Sequence, residues 1–474
     1  MEAAAISTIP TTDATEIAIV IHPDMHERGE MREPAARLEE AIGLAAAIGV
    51  DVADAFVASI AKPRPATLFG AGKVDEVRAL LDARAPRPGL VIVDGALSPV
   101  QHRNLEKAWD VKVLDRTALI LEIFGARAST AEGRLQVDLA HLEYQRSRLV
   151  RSWTHLERQR GGAGFLGGPG ERQIESDRRA LADKIDRLKL KLEQVRRTRT
   201  LQRAKRKRAP QPVVALVGYT NAGKSTLFNA LTRAEVRAQD LLFATLDPTM
   251  RAVRLPSGER IILSDTVGFI SDLPTQLIAA FRATLEEVQE ADLLVHVRDL
   301  SHPETDAQRR DVIDVLRALG IRDDDDAGEG PLVIEALNKV DRLSAEDLAS
   351  AKAIARLSRD AAAMTIEEPH RVCVSALTGE GLDELAAMMD AALTRDRRTY
   401  RVTLADDGAA RAWLHARGDV VAASDDPAAG EADQVVVRLS DKAAGQFRKA
   451  FPDAIVAAGP DAALPDADGA RATV

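Results

Sequence analysis

The stretch VVALVGYTNAGKS, residues 213–225, decides how the rest of this chain is read. Val213 to Val217 form an apolar run with the length and β-branched content of a buried strand. The run enters Gly218 directly, and Gly223, Lys224 and Ser225 follow at the spacing GxxxxGKS. Thr226 to Thr232 then reads as a helix. Strand, glycine loop and helix start, in that order, make a phosphate cradle. The glycines let backbone N–H groups turn inward around an anion, and the helix N-terminus adds partial positive charge. In this reading Lys224 bridges β- and γ-phosphate oxygens, and the Ser225 hydroxyl ligates Mg²⁺. Tyr219, Thr220, Asn221, Ala222 and Thr226 complete the set around the nucleotide.

The loop alone says nucleoside triphosphate; the base is read further on. Asn338-Lys-Val-Asp341 follows the apolar run Leu332–Leu337. A carboxylate at Asp341 accepts from both N1–H and the exocyclic amine of guanine. Adenine lacks that donor pair, and a buried carboxylate left without it costs about 1–3 kcal/mol or more. Asn338 braces base and phosphate loop, and the Lys339 stem lies along the ring. Ser375-Ala-Leu377 follows another strand and offers the Ala376 N–H to guanine O6. Asp265-Thr-Val-Gly268 follows Ile261–Ser264. There Asp265 holds Mg²⁺ through water and the Gly268 N–H senses the γ-phosphate, with Thr266 and Val267 between them. Residues 242–249 (LFATLDPT) are a candidate first switch, in which Thr245 or Thr249 supplies a hydroxyl to Mg²⁺ and a carbonyl to the attacking water. The expected activity is GTP hydrolysis, with Lys224, the switch threonine and Gly268 as catalytic candidates. After Gly268 stands Phe269, whose ring neither orients nor activates water. Slow intrinsic hydrolysis follows, with the missing group coming from elsewhere in the chain, a cation or a partner. Asn221 is the candidate to hold a monovalent cation (K⁺) near the phosphates.

The chain has 474 residues, 46% hydrophobic and 29% charged, which is ordinary for a multi-domain globular protein. It carries no apolar run of the ~18–20 residues that would span a bilayer, and the sequence predicts no membrane segment. Its first residues lack the basic and apolar regions of a secretory signal, so a cytoplasmic protein is expected, and a monomer. The single cysteine, Cys373, excludes an internal disulfide and sits in a strand-like apolar stretch as a buried thiol. The net charge of -9 hides an asymmetry. Residues 134–208 hold 21 Lys and Arg against 9 Asp and Glu, and eight of the basic residues lie between Arg196 and Arg208. Such a block points to phosphate or RNA contact.

Four segments emerge. Residues 1–125 alternate strand-like and helical runs and predict a small, mostly parallel α/β domain. In it, the phosphate-loop-like stretch Phe69 to Lys73 follows no buried strand and reads as a turn or helix start. Residues 126–210 carry apolar seams at steps of three and four, Leu135 to Leu156 and Leu181 to Val195, on either side of the glycine-rich stretch 161–170. This predicts an antiparallel helical hairpin with a glycine tip. Gly164, Phe165, Leu166 and Gly167 at the tip, with Arg196, Arg197, Lys205 and Arg206 on the basic run, are the candidate RNA contacts. Residues 211–398 form the P-loop domain, Ras-like with a mostly parallel sheet. Residues 399–474 form a small α+β domain with a disordered tail.

Several longer stretches resemble the HflX family of ribosome-associated GTPases. They are DRTALILEIF (115–124), EGRLQVDLA (132–140), the glycine-rich GFLGGPGE (164–171) leading to IESDRR (174–179), LFATLDPT (242–249) and DTVGFI (265–270). The resemblance covers nearly the whole chain and selects Thr245 over Thr249. It implies binding to the large (50S) ribosomal subunit and its RNA through the N-terminal domain and arm, with the tip directed toward the peptidyl-transferase region. It also implies hydrolysis stimulated by that subunit, and an output of ribosome splitting, rescue or assembly control. Two rival readings are a GTP-regulated adaptor whose hairpin binds a protein coiled coil, and an RNA-remodelling enzyme.

Overall fold

The computed structural model describes residues 16–25, 32–157, 169–206, 211–233, 243, 249–271, 282–321, 331–359, 364–395, 397–404, 408–423 and 433–458. Within them lie three separate sheets and a pair of long helices. The first sheet is parallel, with strand order β2-β1-β3-β4. Its strands are β1 (Ile17–Asp24), β2 (Asp51–Ser59), β3 (Leu90–Val93) and β4 (Lys112–Asp115). Helices α1 (Pro34–Ala47), α2 (Ala71–Ala83), α3 (Pro99–Trp109) and α4 (Arg116–Arg127) cover it. Alternate residues of the central strands serve opposite faces. Ile19, Ile21, Val91 and Val93 pack with Phe69, Leu81 and Trp109. Ala18, Val20, Leu90 and Ile92 pack with Leu44, Ile120 and Phe124 on the other side. That second core continues without a break into the central domain, through Tyr219, Phe243, Val267, Phe269 and Ile270.

The Phe69–Lys73 stretch resolves as a helix start, with Gly70 as the N-cap of α2. Two long helices follow, α5 (Ala131–Glu157) and α6 (Pro169–Arg206). They lie against each other, with Lys189 Nζ 3.0 Å from Glu143 and Ile185 buried. Pro169 and Gly170, read from sequence as part of the tip, are instead the first residues of α6, where Pro has no N–H to lose. The remaining tip candidates, Gly164 to Gly167, lie outside the described residues.

The central sheet has the order β10-β9-β8-β5-β7-β6, parallel except for edge strand β6. Its strands are β5 (Val213–Gly218), β6 (Thr249–Arg254), β7 (Arg260–Asp265), β8 (Leu293–Asp299), β9 (Leu332–Asn338) and β10 (His370–Cys373). The helices are α7 (Lys224–Thr232), α8 (Arg282–Gln289), α9 (Thr305–Ala318), α10 (Ala345–Ser358) and α11 (Leu382–Thr394). Cys373 is buried at the end of β10, as its apolar setting predicts. The third sheet is antiparallel, order β12-β13-β11-β14. It comprises β11 (Arg397–Leu404), α12 (Gly408–Arg417), β12 (Asp419–Ala423), β13 (Asp433–Ser440), α13 (Asp441–Ala450) and β14 (Ile455–Ala458). Strand β11 begins at Arg397, two residues ahead of the boundary expected at 399. Among the described residues, no helix is long and apolar enough to cross a membrane.

One charged group lies in the middle of the central sheet. Glu335 on β9 has no exposure, and Arg298, Arg309 and Arg371 all donate to its carboxylate. Burial alone raises a carboxyl pKa. Here His296 and the arginines outweigh it and bring Glu335 down to about 2. A carboxylate depressed in the folded state contributes stability above its unfolded pKa and loses it as pH falls through the folded value. The Glu335→Gln variant is expected to be less stable at pH 7 by about 3 kcal/mol, because it leaves buried guanidinium charge uncompensated. That deficit narrows as pH falls from the unfolded value of 4.5 toward about 2, which urea unfolding of both proteins across that range reads directly.

Candidate nucleotide site

In a parallel sheet the strands' carboxyl ends gather at one edge, and loops leaving that edge form the ligand site. The central sheet delivers Gly218 at the end of β5, Asp265 at the end of β7, Asp299 at the end of β8 and Asn338 at the end of β9. Ser375 follows two residues after β10. Those of the residues proposed from sequence for phosphate, metal and base that are described therefore converge, although they are spread from 218 to 377. Thr245 lies outside the described residues, and Leu377 is 77% exposed.

The loop after β5 turns tightly. Asn221 takes φ 58° and Gly223 φ 95°. A Cβ on Gly223 would stand 2.3 Å from Asn338 Nδ2, so only glycine fits there. Lys224 is buried, and its Nζ donates to the carbonyls of Gly218 at 3.1 Å and Tyr219 at 2.7 Å. Burial brings its pKa down to about 8, against the opposing pull of Asp265. Ser225 Oγ donates to Asp265 Oδ2 at 2.7 Å. This pairs a hydroxyl and a carboxylate, hard oxygen donors of the kind Mg²⁺ takes. Thr266 is buried and donates its hydroxyl to the Leu216 carbonyl at 2.5 Å, which anchors the loop after β7 to β5.

Asn338 links the two halves of the site. Its Nδ2 donates to Ala222 O at 2.9 Å in the phosphate loop, and its Oδ1 accepts from Ala376 N at 3.0 Å in the last loop. Ser375 Oγ donates to Asp341 Oδ1 at 2.6 Å, fixing one carboxylate oxygen. Lys339 adopts φ 64°, and its Nζ lies 2.8 Å from Asp299 Oδ2. Asp299 is a partner the sequence reading lacked; its place at the end of β8, in line with Asp265 and Asn338, is the signal that marks it.

The segment after Asp265 folds onto the phosphate loop. Thr220 N donates to Phe269 O at 2.8 Å, and Phe269 N donates to Gly218 O at 3.1 Å. A Cβ on Gly268 would meet Thr220 Cγ2 at 2.9 Å and Lys224 Nζ at 3.0 Å. The Phe269 ring is 1% exposed and belongs to the core shared with the N-terminal domain. Tyr219 also does something the motif did not announce. Its hydroxyl accepts from Ser271 N and Arg32 and donates to Glu40 at 2.9 Å, so the phosphate loop is tied to the first domain.

Sheet order, a glycine loop between β5 and α7 and a braced NKxD loop after β9 define the class of P-loop GTPases. Residues 35–125 match the family described as "GTP-binding GTPase N-terminal", and 127–206 match "GTP-binding GTPase Middle Region". Residues 213–339 match "50S ribosome-binding GTPase". The chain is 51% identical over 385 residues to GTPase HflX of Magnetococcus marinus, covering 81% of this chain and 84% of the relative. It is 43% identical over 373 residues to GTPase HflX of Escherichia coli, covering 79% and 82%. It is 36% identical over 450 residues to human putative GTP-binding protein 6, covering 92% and 82%. The chain belongs to the HflX family of GTPases, and its activity is the hydrolysis of GTP.

Because one amide makes both bonds that join the phosphate loop to the last loop, Asn338→Ala removes them together. It is expected to weaken guanine-nucleotide binding by about tenfold or more, with the triphosphate and diphosphate affected alike, in fluorescence titration.

Proposed function

We propose that this chain is a GTP-driven switch that docks on the large ribosomal subunit and acts on ribosomes, by splitting, rescue or assembly control, with hydrolysis stimulated there. The observation that carries the reading is Phe269. The position after Gly268 holds a ring buried in the core rather than a polar group turned to the nucleotide. A site with a complete phosphate cradle and no water-orienting side chain at that position suits a switch that waits for its partner. A strongly basic two-helix arm on the same chain suits a partner made of RNA. Arg197 is 78% exposed on α6, as a backbone-phosphate contact requires. Arg196, Lys205 and Arg206 lie along the same helix.

In this reading the N–H groups from Asn221 to Thr226 surround the β-phosphate, and Lys224 exchanges its two carbonyl partners for phosphate oxygens. Ser225 and Asp265 hold Mg²⁺, the second through water, together with Thr245 of the first switch. The ion neutralises charge on the phosphates when bound. The Gly268 N–H meets the γ-phosphate, with Thr266 and Val267 fixing its approach. Asp341 accepts one bond from Ser375 and keeps acceptor sites on its carboxylate for the two guanine donors. The Ala376 N–H, Leu377 and the Lys339 stem complete the base contacts. Asn221 takes the monovalent cation.

Two measurements decide this. Asp341→Asn places a donor where guanine presents its amine, so GTP affinity is expected to fall by about tenfold or more while xanthosine triphosphate gains. Equal loss of both nucleotides would reject Asp341 as the base reader. Hydrolysis is expected to rise by about 10-fold or more on adding purified large subunits, which co-sediment with the protein in a GTP analogue. No stimulation and no co-sedimentation would reject the ribosomal reading in favour of an adaptor. The same assay in potassium and sodium tests Asn221, whose assignment does not survive equal rates.

A further inference from the structure

The N-terminal domain reaches all three nucleotide-responsive segments of the central domain. Tyr219 of the phosphate loop, Phe243 of the candidate first switch and Ser271, three residues past Gly268, each touch it. The first-switch contact is apolar: the Phe124 and Phe243 rings meet edge to face, 4.7 Å between centroids. The other two meet around one guanidinium, Ser271 by direct contact and Tyr219 through Glu40. Arg116, the first residue of α4, is 4% exposed. One of its terminal nitrogens donates to Ser271 Oγ at 2.9 Å, Ser271 O at 3.1 Å and Glu40 Oε1 at 2.8 Å. The other donates to Asp94 Oδ1 at 2.5 Å. Glu40 in turn accepts from Tyr219 OH at 2.9 Å and from Ser271 Oγ at 3.3 Å. Tyr219 OH receives Ser271 N at 2.9 Å.

We propose that Arg116 is a positioning residue for GTP hydrolysis, setting through Ser271 where the Gly268–Phe269 segment lies against the phosphate loop. A carbonyl and a hydroxyl of one residue, gripped by a guanidinium whose other nitrogen is held by the buried Asp94 carboxylate, leave that residue little freedom. Phe269, two residues earlier, is fixed by two backbone bonds to the phosphate loop. Gly268 immediately precedes Phe269 and lies close against Lys224 and Thr220. In the proposed coupling, a shift of Ser271 acts through Ile270 on the Phe269 peptide and its two bonds to the phosphate loop, and so on the Gly268 N–H next to it.

The adjacent residue gives this grip a second end. Asp115 caps α4 through Ala118 N and accepts from Tyr144 OH at 2.7 Å and Arg148 at 2.5 Å, both on α5 of the arm. The last residue of β4 thus holds the arm, and the first residue of α4 holds the switch segment. Displacement of the arm is transmitted over one peptide bond to Ser271.

The inference rests on Gly268 as the γ-phosphate sensor, so the experiment tests that reading in parallel. Affinities for GDP and for a non-hydrolysable GTP analogue are measured on the full chain, together with kcat and KM for GTP. Arg116→Lys keeps the buried charge and loses the fork. Tyr219→Phe and Ser271→Ala remove bonds without uncovering a charge. Each is expected to lower the preference for the analogue over GDP, and kcat, by about five- to tenfold for the lysine variant and less for the others; in the Arg116 and Ser271 variants GDP affinity stays within about twofold of the parent. A purely structural role would lower the melting temperature and leave that preference intact, which overturns the proposal. Gly268→Ala is the control: if it too leaves the preference unchanged, the sensor reading fails and the inference with it. If Gly268→Ala abolishes the preference while all three other variants keep it, the inference alone fails. Slower hydrogen exchange in α4 and α5 with the analogue than with GDP is the second expected result; protection confined to the central domain contradicts the transmission to the arm.

Discussion

A guanidinium as buried as that of Arg116 persists only where anions and acceptors surround it, and the arrangement of two domains follows from that requirement. Burial pulls its pKa down, but Asp94 and Glu40 outweigh burial and hold it above the ordinary arginine value. Asp94 directly follows β3 and Glu40 lies on α1, whereas Ser271 belongs to the central domain. The Tyr219 phenol is raised as well, by burial and by the Glu40 charge, so it remains a neutral hydroxyl that can both donate and accept. Removing one member would leave another buried without a partner, which is costlier than the net gain from forming the set. The cluster therefore specifies one docking geometry more than it adds stability. Apolar contact between Phe124 and Phe243 supplies non-directional attraction beside it.

The central domain's phosphate and NKxD loops were legible from sequence because their groups are announced locally, whereas Asp299 was not. A strand followed by GxxxxGKS, or by NKxD, places the side chain within a few residues of the element that carries it. Gly223 and Asn338 even predict each other, since the amide occupies the space that a Cβ would need. The parallel strands β1 and β3 were legible for a related reason: both are continuous apolar runs, as strands buried on two faces must be. The α4 segment shows where that logic stops. Leu119, Ile120, Leu121, Ile123 and Phe124 are all buried, because the helix is enclosed on more than one side. Without a polar face it has no one-sided period to read. Its residues stood out as a family motif, not as a helix. At the other extreme β14 is short, alanine-rich and carries Ile455 at 68% exposure, so its pattern is too weak to separate from a loop.

What no local pattern carries is the set of contacts between elements far apart in the chain. Glu40, Arg116, Tyr219 and Ser271 span more than two hundred residues and look individually unremarkable. Tyr219 sits at a variable x of the glycine-loop motif, where the motif's chemistry asks nothing of the side chain. Its hydroxyl has a role only once α1 has been placed over the loop. The motif thus identifies what binds the nucleotide and leaves open what listens to it.

That separation bears on how a GTPase with Phe269 can be controlled. A missing water-positioning group makes chemistry depend on how accurately the remaining parts are placed, in the proposed reading above all the N–H of Gly268. In this chain those parts are not free to settle by themselves. The phosphate loop is tied to the first domain through Tyr219, and the stretch past Gly268 is tied through Ser271. The same strand-to-helix junction grips α5. Linkage then runs both ways: whatever favours one placement of the arm favours one placement of the switch, and nucleotide that selects a switch position biases the arm by the same free energy. A basic arm and a nucleotide site joined at Asp115 and Arg116 need no long relay between them, because one peptide bond connects the residue that holds the first to the residue that holds the second.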